Sequence, residues 1–147
     1  MRDISFKAKR LDNKEWIEGD LIGNAFYRCD TESDCCYILD YEKMKYYDFQ
    51  DIWEQLDEYE VDPETVCQFT GLKDCNKNRI FEGDIVKVRD PYSGCWSING
   101  GEVIFSTEYV GGWVITSNGE DGLNIGTRTN DVDIIGNIYD NPELLLQ

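Results

Sequence analysis

The sequence predicts a mainly β fold, β or α+β in class, made of short strands around one short helix. Apolar and polar residues alternate with a period of two in several segments, as in residues 3–10, where Ile4, Phe6 and Ala8 would share one face. Turn-forming residues separate these segments. Since only the segment that begins near residue 48 has a helical period, the pattern is typical of a barrel or a sandwich of short strands.

The predicted strands follow one another along the whole chain with short connections. Further strands are expected at residues 15–22, 25–29, 35–39, 64–70, 85–89, 102–105, 112–116 and 132–139. Turns are expected at 12–13, 23–24, 71, 83–84 and 90–94 because Gly, Asn, Asp and Pro cluster there. Residues 143–146 are expected to form one helical turn after Pro142.

The one segment with a helical period lies in the middle of the chain. Its apolar residues have the spacing i, i+3, i+4 and i+7, which places them on one helix face. Asp48 is a suitable N-cap, and a helix is expected over residues 49–57. The stripe is expected to face the core, with a partner-binding face as the alternative; it consists of Phe49, Ile52, Trp53 and Leu56.

The charge balance excludes several functions. The chain of 147 residues has 30 acidic and 14 basic residues, a net charge of −16, and no histidine. The missing histidine removes His-based general bases, Ser-His and Cys-His pairs, and imidazole metal sites. Residues 30–66 carry 13 acidic and 2 basic residues, a net charge of −11. Such a field repels phosphate, so direct binding of nucleic acid is not expected.

Three interpretations of the acidic segment at residues 30–66 remain open. It can be a solvated face that keeps the protein soluble. It can imitate nucleic acid or dock on a basic partner. It can also bind calcium, although no D-x-D-x-D-G loop is present.

Six cysteines and the absence of an export signal favour a reducing compartment. No signal peptide and no membrane-spanning run are found, so a cytoplasmic protein without membrane contact is expected. No C-x-x-C pair occurs, and the thiols are expected to be reduced, small core residues. A zinc site that uses Cys29, Cys35 and Cys36 is the alternative. The six are Cys29, Cys35, Cys36, Cys67, Cys75 and Cys95.

Three segments carry a resemblance to a known family. The central one joins Gln68-Phe69-Thr70-Gly71-Leu72 to Ile80-Phe81-Glu82-Gly83-Asp84-Ile85-Val86. The closing one is Ile134-Ile135-Gly136-Asn137-Ile138-Tyr139-Asp140-Asn141-Pro142. The opening one pairs residues 4–8 with residues 16–21. Together they resemble the YopX family of phage and prophage proteins, over most of the chain.

The resemblance implies a small, mainly β domain over residues 1–147. Its first part, residues 1–63, would hold β-hairpins and the short helix, and residues 64–147 would hold an SH3-like barrel. The family has no established activity, so no catalytic, metal or cofactor residue is carried over and no cofactor is expected. One departure concerns the turn before the Glu-Gly-Asp strand, where Lys77 takes the place of the family's glycine. This leaves the turn type at Asn76-Lys77 open.

The signature residues are interpreted as fold-defining. Glycines permit backbone angles that side chains forbid, and the short polar side chains can bind backbone amides at turns. An acid and base pair of Glu82 and Asp84 is the alternative. The fold-signature residues are Gln68, Thr70, Gly71, Glu82, Gly83, Asp84, Gly136, Asn137 and Pro142.

The sequence is compatible with three functions. The first is a non-enzymatic interaction or assembly protein that forms a homo-oligomer or binds a host or phage protein. Its interface would use exposed aromatic residues, foremost Trp53, Tyr92 and Trp96. The second is an acidic decoy that binds a basic host protein. The third is a metal-dependent hydrolase that uses carboxylates alone. Further aromatic candidates are Tyr46, Tyr47 and Tyr109.

Overall fold

The computed structural model describes residues 3–23, 35–108, 112–117, 120–127 and 129–146, and it confirms the mainly β fold. The chain forms two compact units, Met1–Gln68 and Phe69–Gln147. The strands are β1 (Phe6–Lys9), β2 (Trp16–Gly23), β3 (Cys36–Leu39), β4 (Glu60–Val61), β5 (Cys67–Lys73), β6 (Arg79–Phe81), β7 (Asp84–Arg89), β8 (Trp96–Ser106), β9 (Gly112–Ser117), β10 (Glu120–Asn124) and β11 (Val132–Asn137).

The helical elements within the described residues are short. The α-helices are α1 (Tyr41–Met44) and α2 (Phe49–Glu54), and the 3₁₀ segments are Leu56–Tyr59, Pro63–Thr65, Ile125–Thr127, Thr129–Asp131 and Pro142–Leu146. Helices this short gain little from their own hydrogen bonds, so they depend on caps and on packing.

The first unit is an antiparallel sheet with the order β4-β3-β2-β1-β5. Its core is centred on Ala8, Ile38 and Val61, each at most 1% exposed. Ala8 lies opposite Ile17 of β2, as the alternation in residues 3–10 indicates. Ile4, predicted on the same buried face, is instead 58% exposed because β1 begins only at Phe6.

The second unit has a five-stranded antiparallel sheet with the order β10-β9-β8-β7-β11. Beside it, Phe69 of β5 pairs with Phe81 of β6. The core is mostly branched aliphatic, which suits strands that bury one pleated face. It consists of Ile80, Val86, Val88, Val103, Trp113, Ile115, Ile125 and Val132.

Strand β8 is much longer than the sequence indicates. A strand was expected over residues 102–105, whereas the structure extends it over Trp96–Ser106. The sequence does not indicate the longer strand because this part contains Gly100 and Gly101, and glycine has low strand propensity. The Cβ of any other residue at Gly100, where φ is +98°, would lie 2.0 Å from the carbonyl oxygen of Leu144. The glycine is therefore required where the C-terminal 3₁₀ segment crosses β8.

Other predicted boundaries need correction. The helix expected over residues 49–57 ends at Glu54 and continues as a 3₁₀ segment. The strand expected over residues 64–70 begins at Cys67, because Pro63–Thr65 is a 3₁₀ segment. Gly71 lies inside β5 rather than in a turn between strands, at a register shift with φ +84°. The last strand ends at Asn137 instead of 139, and β10 was not predicted. The strand expected at residues 25–29 lies outside the described residues.

The turn that joins β5 to β6 is organised by Asp74. This side chain is 2% exposed, and its Oδ1 accepts the amides of Asn76 and Asn78 at 2.9 Å each. Its Oδ2 accepts the amide of Ile134 in β11 at 3.3 Å. Lys77 adopts the left-handed conformation with φ +69°, at the position where the YopX pattern has glycine. At this position the lysine therefore adopts a conformation that favours glycine.

We predict that Lys77→Gly stabilises the protein. A side chain in the left-handed region costs about 1–2 kcal/mol, and the extra freedom that glycine gives the unfolded chain offsets about half of that. The expected increase in Tm is about 2–4 °C, measured by thermal denaturation. Lys77→Ala is the matched control because alanine removes the charge and keeps the Cβ. An equal increase for both variants would show that the charge, and not the backbone angle, destabilises the turn.

Candidate interaction surfaces

Helix α2 begins at a capping box. The Oδ1 of Asp48 accepts the amide of Asp51 at 2.9 Å, and the Oδ2 of Asp51 accepts the amide of Asp48 at 3.3 Å. These bonds satisfy amides that the first turn of a helix cannot bond internally. The predicted N-cap Asp48 is confirmed, and it fixes where the helix starts.

The apolar stripe of α2 is largely exposed, contrary to the prediction that it faces the core. Leu56, just beyond the helix, is 2% exposed, and Ile52 is half-buried. Phe49 is 74% exposed and Trp53 is 48% exposed. Their rings stack with centroids 6.2 Å apart, and they line a shallow apolar depression with Gln50. We call Phe49, Gln50 and Trp53 the α2 surface.

The α2 surface has a strongly acidic border. Residues 48–60 contain six carboxylates and no basic residue. In α1, Lys43 lies 3.6 Å from the carboxylate of Asp40, and Lys45 pairs with Glu42, so these lysines neutralise other acids. Aromatic side chains on a segment with an excess of acidic residues suit a partner that is both apolar and basic.

Part of the acidic segment serves the local fold. Asp40, Asp48 and Asp62 each accept a backbone amide at the start of a helical segment, from Lys43, Asp51 and Glu64 respectively. Aspartate is favoured there because its short carboxylate reaches the free amides. Local hydrogen bonds therefore explain three of the acidic residues in the segment 30–66, and these three need no binding partner.

A second exposed surface lies on the hairpin of β7 and β8. The loop between these strands is held by Asp90, whose Oδ1 accepts the amides of Tyr92 at 2.9 Å and Ser93 at 2.8 Å. The Asp90 amide donates to the carbonyl of Cys95 at 2.8 Å. Tyr92 at the tip is 97% exposed. Asp90 thus holds the loop backbone at Tyr92, whose side chain is almost fully exposed to solvent.

Two cations flank Trp96 on this hairpin. Trp96 is 42% exposed and lies opposite Arg89 in the β7–β8 register. The Nζ of Lys87 is 4.2 Å and the Cζ of Arg89 is 5.0 Å from the centre of its ring, within cation–π range. Lys87 also lies 3.3 Å from the carboxylate of Asp133. We call Lys87, Arg89, Tyr92 and Trp96 the hairpin surface.

Sequence reasoning found the aromatic members of the hairpin surface but missed its cations. Lys87 and Arg89 alternate with buried Val86 and Val88, so the period of two already placed both on one face of β7. What was missing was the register that brings Trp96 onto the same face, because β8 was not expected to reach residue 96. The third candidate, Trp53, lies on the α2 surface.

Three signature residues make hydrogen bonds to backbone groups around the connection between β6 and β7. The hydroxyl of Thr70 donates to the carbonyl of Ile80 at 2.8 Å and accepts the amide of Leu72 at 3.1 Å. Asp84 is 2% exposed, and its Oδ2 accepts the amide of Phe81 at 2.8 Å. Gly83 has φ +79° and donates to the carbonyl of Val103 at 2.9 Å. These groups serve the backbone, which leaves Asp84 poorly suited to pair with Glu82 in acid–base chemistry.

The closing signature segment makes similar hydrogen bonds at the end of β11. The Oδ1 of Asn137 accepts the amides of Tyr139 at 3.0 Å and Asp140 at 2.9 Å. A Cβ at Gly136 would lie 2.6 Å from the Oδ1 of Asn141. Pro142 begins the last 3₁₀ segment. Of the remaining signature residues, Gln68 pairs with Phe6 across β1 and β5, and Gly71 lies at the irregularity of β5.

The cysteines in the described part of the chain differ in environment. Cys67 is buried, and its thiol contacts the carbonyl of Thr65 at 3.2 Å, whereas Cys75 and Cys95 are exposed. The prediction that the thiols are core residues is therefore wrong for these two. Desolvation first, and the carboxylates of Asp133 and Asp74 next, raise the pKa of the Cys75 thiol, which disfavours its reactive thiolate.

The described residues show no group of three or more Cys, Asp or Glu side chains that could hold a metal ion. The proposed thiolate site included Cys29, which lies outside the described residues, while Cys35 and Cys36 are half-buried. The carboxylate-only hydrolase hypothesis needs several converging acids, and the described acids do not supply them.

Glu82 and Glu102 form a repulsive pair of carboxylates. Desolvation first, and the nearby charge of Glu82 next, raise the pKa of Glu102 above its ordinary value of 4.5. A carboxyl whose pKa is higher in the folded than in the unfolded chain binds its proton more tightly when folded. Its contribution to stability is therefore complete below pH 4.5 and is lost as the pH rises through the folded pKa.

We predict that Glu102→Gln raises Tm at neutral pH and leaves it unchanged below pH 4.5. The gain is less than about 1 kcal/mol because solvent reaches much of the side chain and screens its charge. Thermal denaturation as a function of pH measures it. Glu108→Gln is the control, since it removes the same charge from an exposed position. An equal effect of the control would attribute the gain to the net charge of −16 alone.

Comparison with known proteins agrees with this architecture. No match to the sequence was found among the curated proteins. The crystal structure of protein EF1440 from Enterococcus faecalis aligns with a TM-score of 0.50 and 23% sequence identity over 99% of each chain, so the likeness concerns the fold. Among the described residues, none of the helices has the length and apolar character to cross a membrane. The YopX protein family model matches residues 5–146, and the chain therefore belongs to the YopX family.

Proposed function

We propose that this chain is a phage- or prophage-derived, non-enzymatic interaction protein that associates with copies of itself in the cytoplasm of a bacterial host. The observation that carries the proposal is the exposure of Phe49 and Trp53 on a helix that buries none of its own residues. Water-exposed apolar area costs about 25 cal/mol per Å², and association recovers that free energy. The phage origin rests on the resemblance of the signature segments.

The roles of the buried carboxylates support a non-enzymatic function. Asp74 and Asp84, each 2% exposed, accept backbone amides and hold the turns around them. An acid or base for catalysis needs a carboxyl that can reach a substrate and change protonation there. These two are committed to the fold, and the sequence has no histidine to take their place.

An acidic decoy is the second candidate, and the net charge of −11 in residues 30–66 favours it. Such a protein would bind a host protein whose normal ligand is nucleic acid. Its affinity would fall steeply with added salt, because exposed charges beyond a Debye length are screened. Self-association through aromatic side chains depends much less on salt, and this difference separates the two candidates.

We predict that the native chain is a stable oligomer at low and at high salt, and that Phe49→Ser combined with Trp53→Ser makes it monomeric. The substitutions remove the apolar contact area of the α2 surface without touching a buried residue. Size-exclusion chromatography with light scattering measures the mass, and circular dichroism checks the fold. The control, Ile4→Ser with Leu11→Ser, removes two side chains that are 58% and 42% exposed elsewhere, and should keep the oligomer.

A native chain that is monomeric under both conditions would contradict self-association. The decoy hypothesis would then be tested by capture of basic proteins from host lysate at increasing salt. An oligomer that survives the Phe49 and Trp53 substitutions would show that self-association uses another surface, and the role proposed for α2 would be wrong.

A further inference from the structure

We infer that the α2 surface of one copy binds the hairpin surface of a second copy, so that copies join head to tail. The inference deepens the proposed function and depends on it, since it names the occupant of the α2 surface. The occupant is the hairpin surface, in which Arg89, Tyr92 and Trp96 are exposed and Lys87 is half-buried.

Charge excludes the simplest alternative, in which two α2 surfaces pair with each other. Six carboxylates and no basic residue lie in residues 48–60, so such a dimer would bring two acidic segments together. Like charges across an interface cost free energy and suppress the pairing. The α2 surface therefore needs a partner that carries positive charge.

The hairpin surface supplies that charge together with aromatic area. Lys87 and Arg89 stand on the face of β7 that is away from the core, and both lie within cation–π distance of Trp96. Arg89 is exposed while it lies over the Trp96 ring. A guanidinium between two aromatic rings binds both through cation–π contacts, and the rings of Phe49 or Trp53 can take the second place.

Both surfaces are fixed before they meet. The capping box of Asp48 and Asp51 sets the start of α2, and Asp90 binds the amides on the hairpin loop beside Tyr92. Ordering a loop or a side chain upon binding opposes association, and a surface that is already ordered avoids much of this cost. Tyrosine, tryptophan and arginine, the residue types most enriched at binding hot spots, are all present across the two surfaces.

A contact between two different surfaces has a consequence for assembly. Each copy keeps one free α2 surface and one free hairpin surface after a single contact forms. Further copies then add until the rotation closes a ring, or without limit as an open filament. Two copies joined by a single contact are therefore not the end state of the native chain.

Complementation between two variants tests the inference. The first variant combines Phe49→Ser with Trp53→Ser and retains the hairpin surface. The second combines Arg89→Glu with Tyr92→Ser and retains the α2 surface; it spares Lys87, which pairs with Asp133. Each variant alone is expected to be monomeric by light scattering. Their equimolar mixture is expected to form a one-to-one heterodimer that does not grow with concentration.

Matched controls separate contact from folding and from charge. Arg89→Lys retains the positive charge but loses the planar guanidinium, so it should weaken the assembly less than Arg89→Glu does. Circular dichroism and thermal denaturation show whether each variant is folded. If the second variant is misfolded, Arg89→Glu alone replaces it, since Arg89 is exposed in the free chain.

Each outcome of the complementation experiment either supports or overturns head-to-tail binding. A heterodimer from two monomeric variants supports head-to-tail binding. A second variant that stays oligomeric while the first is monomeric overturns the inference and leaves self-association through α2 intact. Two monomeric variants that do not complement each other also overturn it. A native chain that is monomeric from the start overturns the inference and the self-association proposal together.

Discussion

The second unit depends on buried side-chain oxygens that take up the amides left over where short strands meet. Asp74 shows this most clearly: three amides, those of Asn76, Asn78 and Ile134, share its two oxygens at a site that is 2% exposed. A buried amide without a partner costs about 1–3 kcal/mol, so each irregular joint needs such an acceptor. The ladder of a long, regular sheet would not need them.

This constraint explains why the family signature is rich in polar residues. Asp84, Thr70 and Asn137 each bind backbone groups at a joint, and Gly83 and Gly136 give the space that these joints require. The signature thus describes a way of connecting strands. The interaction surfaces that we propose lie outside it, where Phe49, Trp53, Tyr92 and Trp96 are exposed.

The sequence predicts correctly those features that depend on interactions between neighbouring residues. The capping role of Asp48 and the burial of Ala8 follow from a few neighbouring residues, and both are found. The stripe of α2 was placed correctly on one helix face, but periodicity cannot say whether another element covers that face. Phe49 was therefore assigned to the core although it is 74% exposed. The pairing of Trp96 with Arg89 depends on a register between strands, which no short segment contains.

The net charge of the chain restricts how copies can associate. A chain of net charge −16 repels every other copy, and the repulsion is strongest where residues 30–66 approach each other. A contact between copies avoids this repulsion when it places the acidic segment that contains α2 next to basic residues such as Lys87 and Arg89, or when salt screens the charge. The first solution needs two unlike surfaces on one chain. Lys87 and Arg89, held against Trp96 on an exposed hairpin, give this chain the second of them.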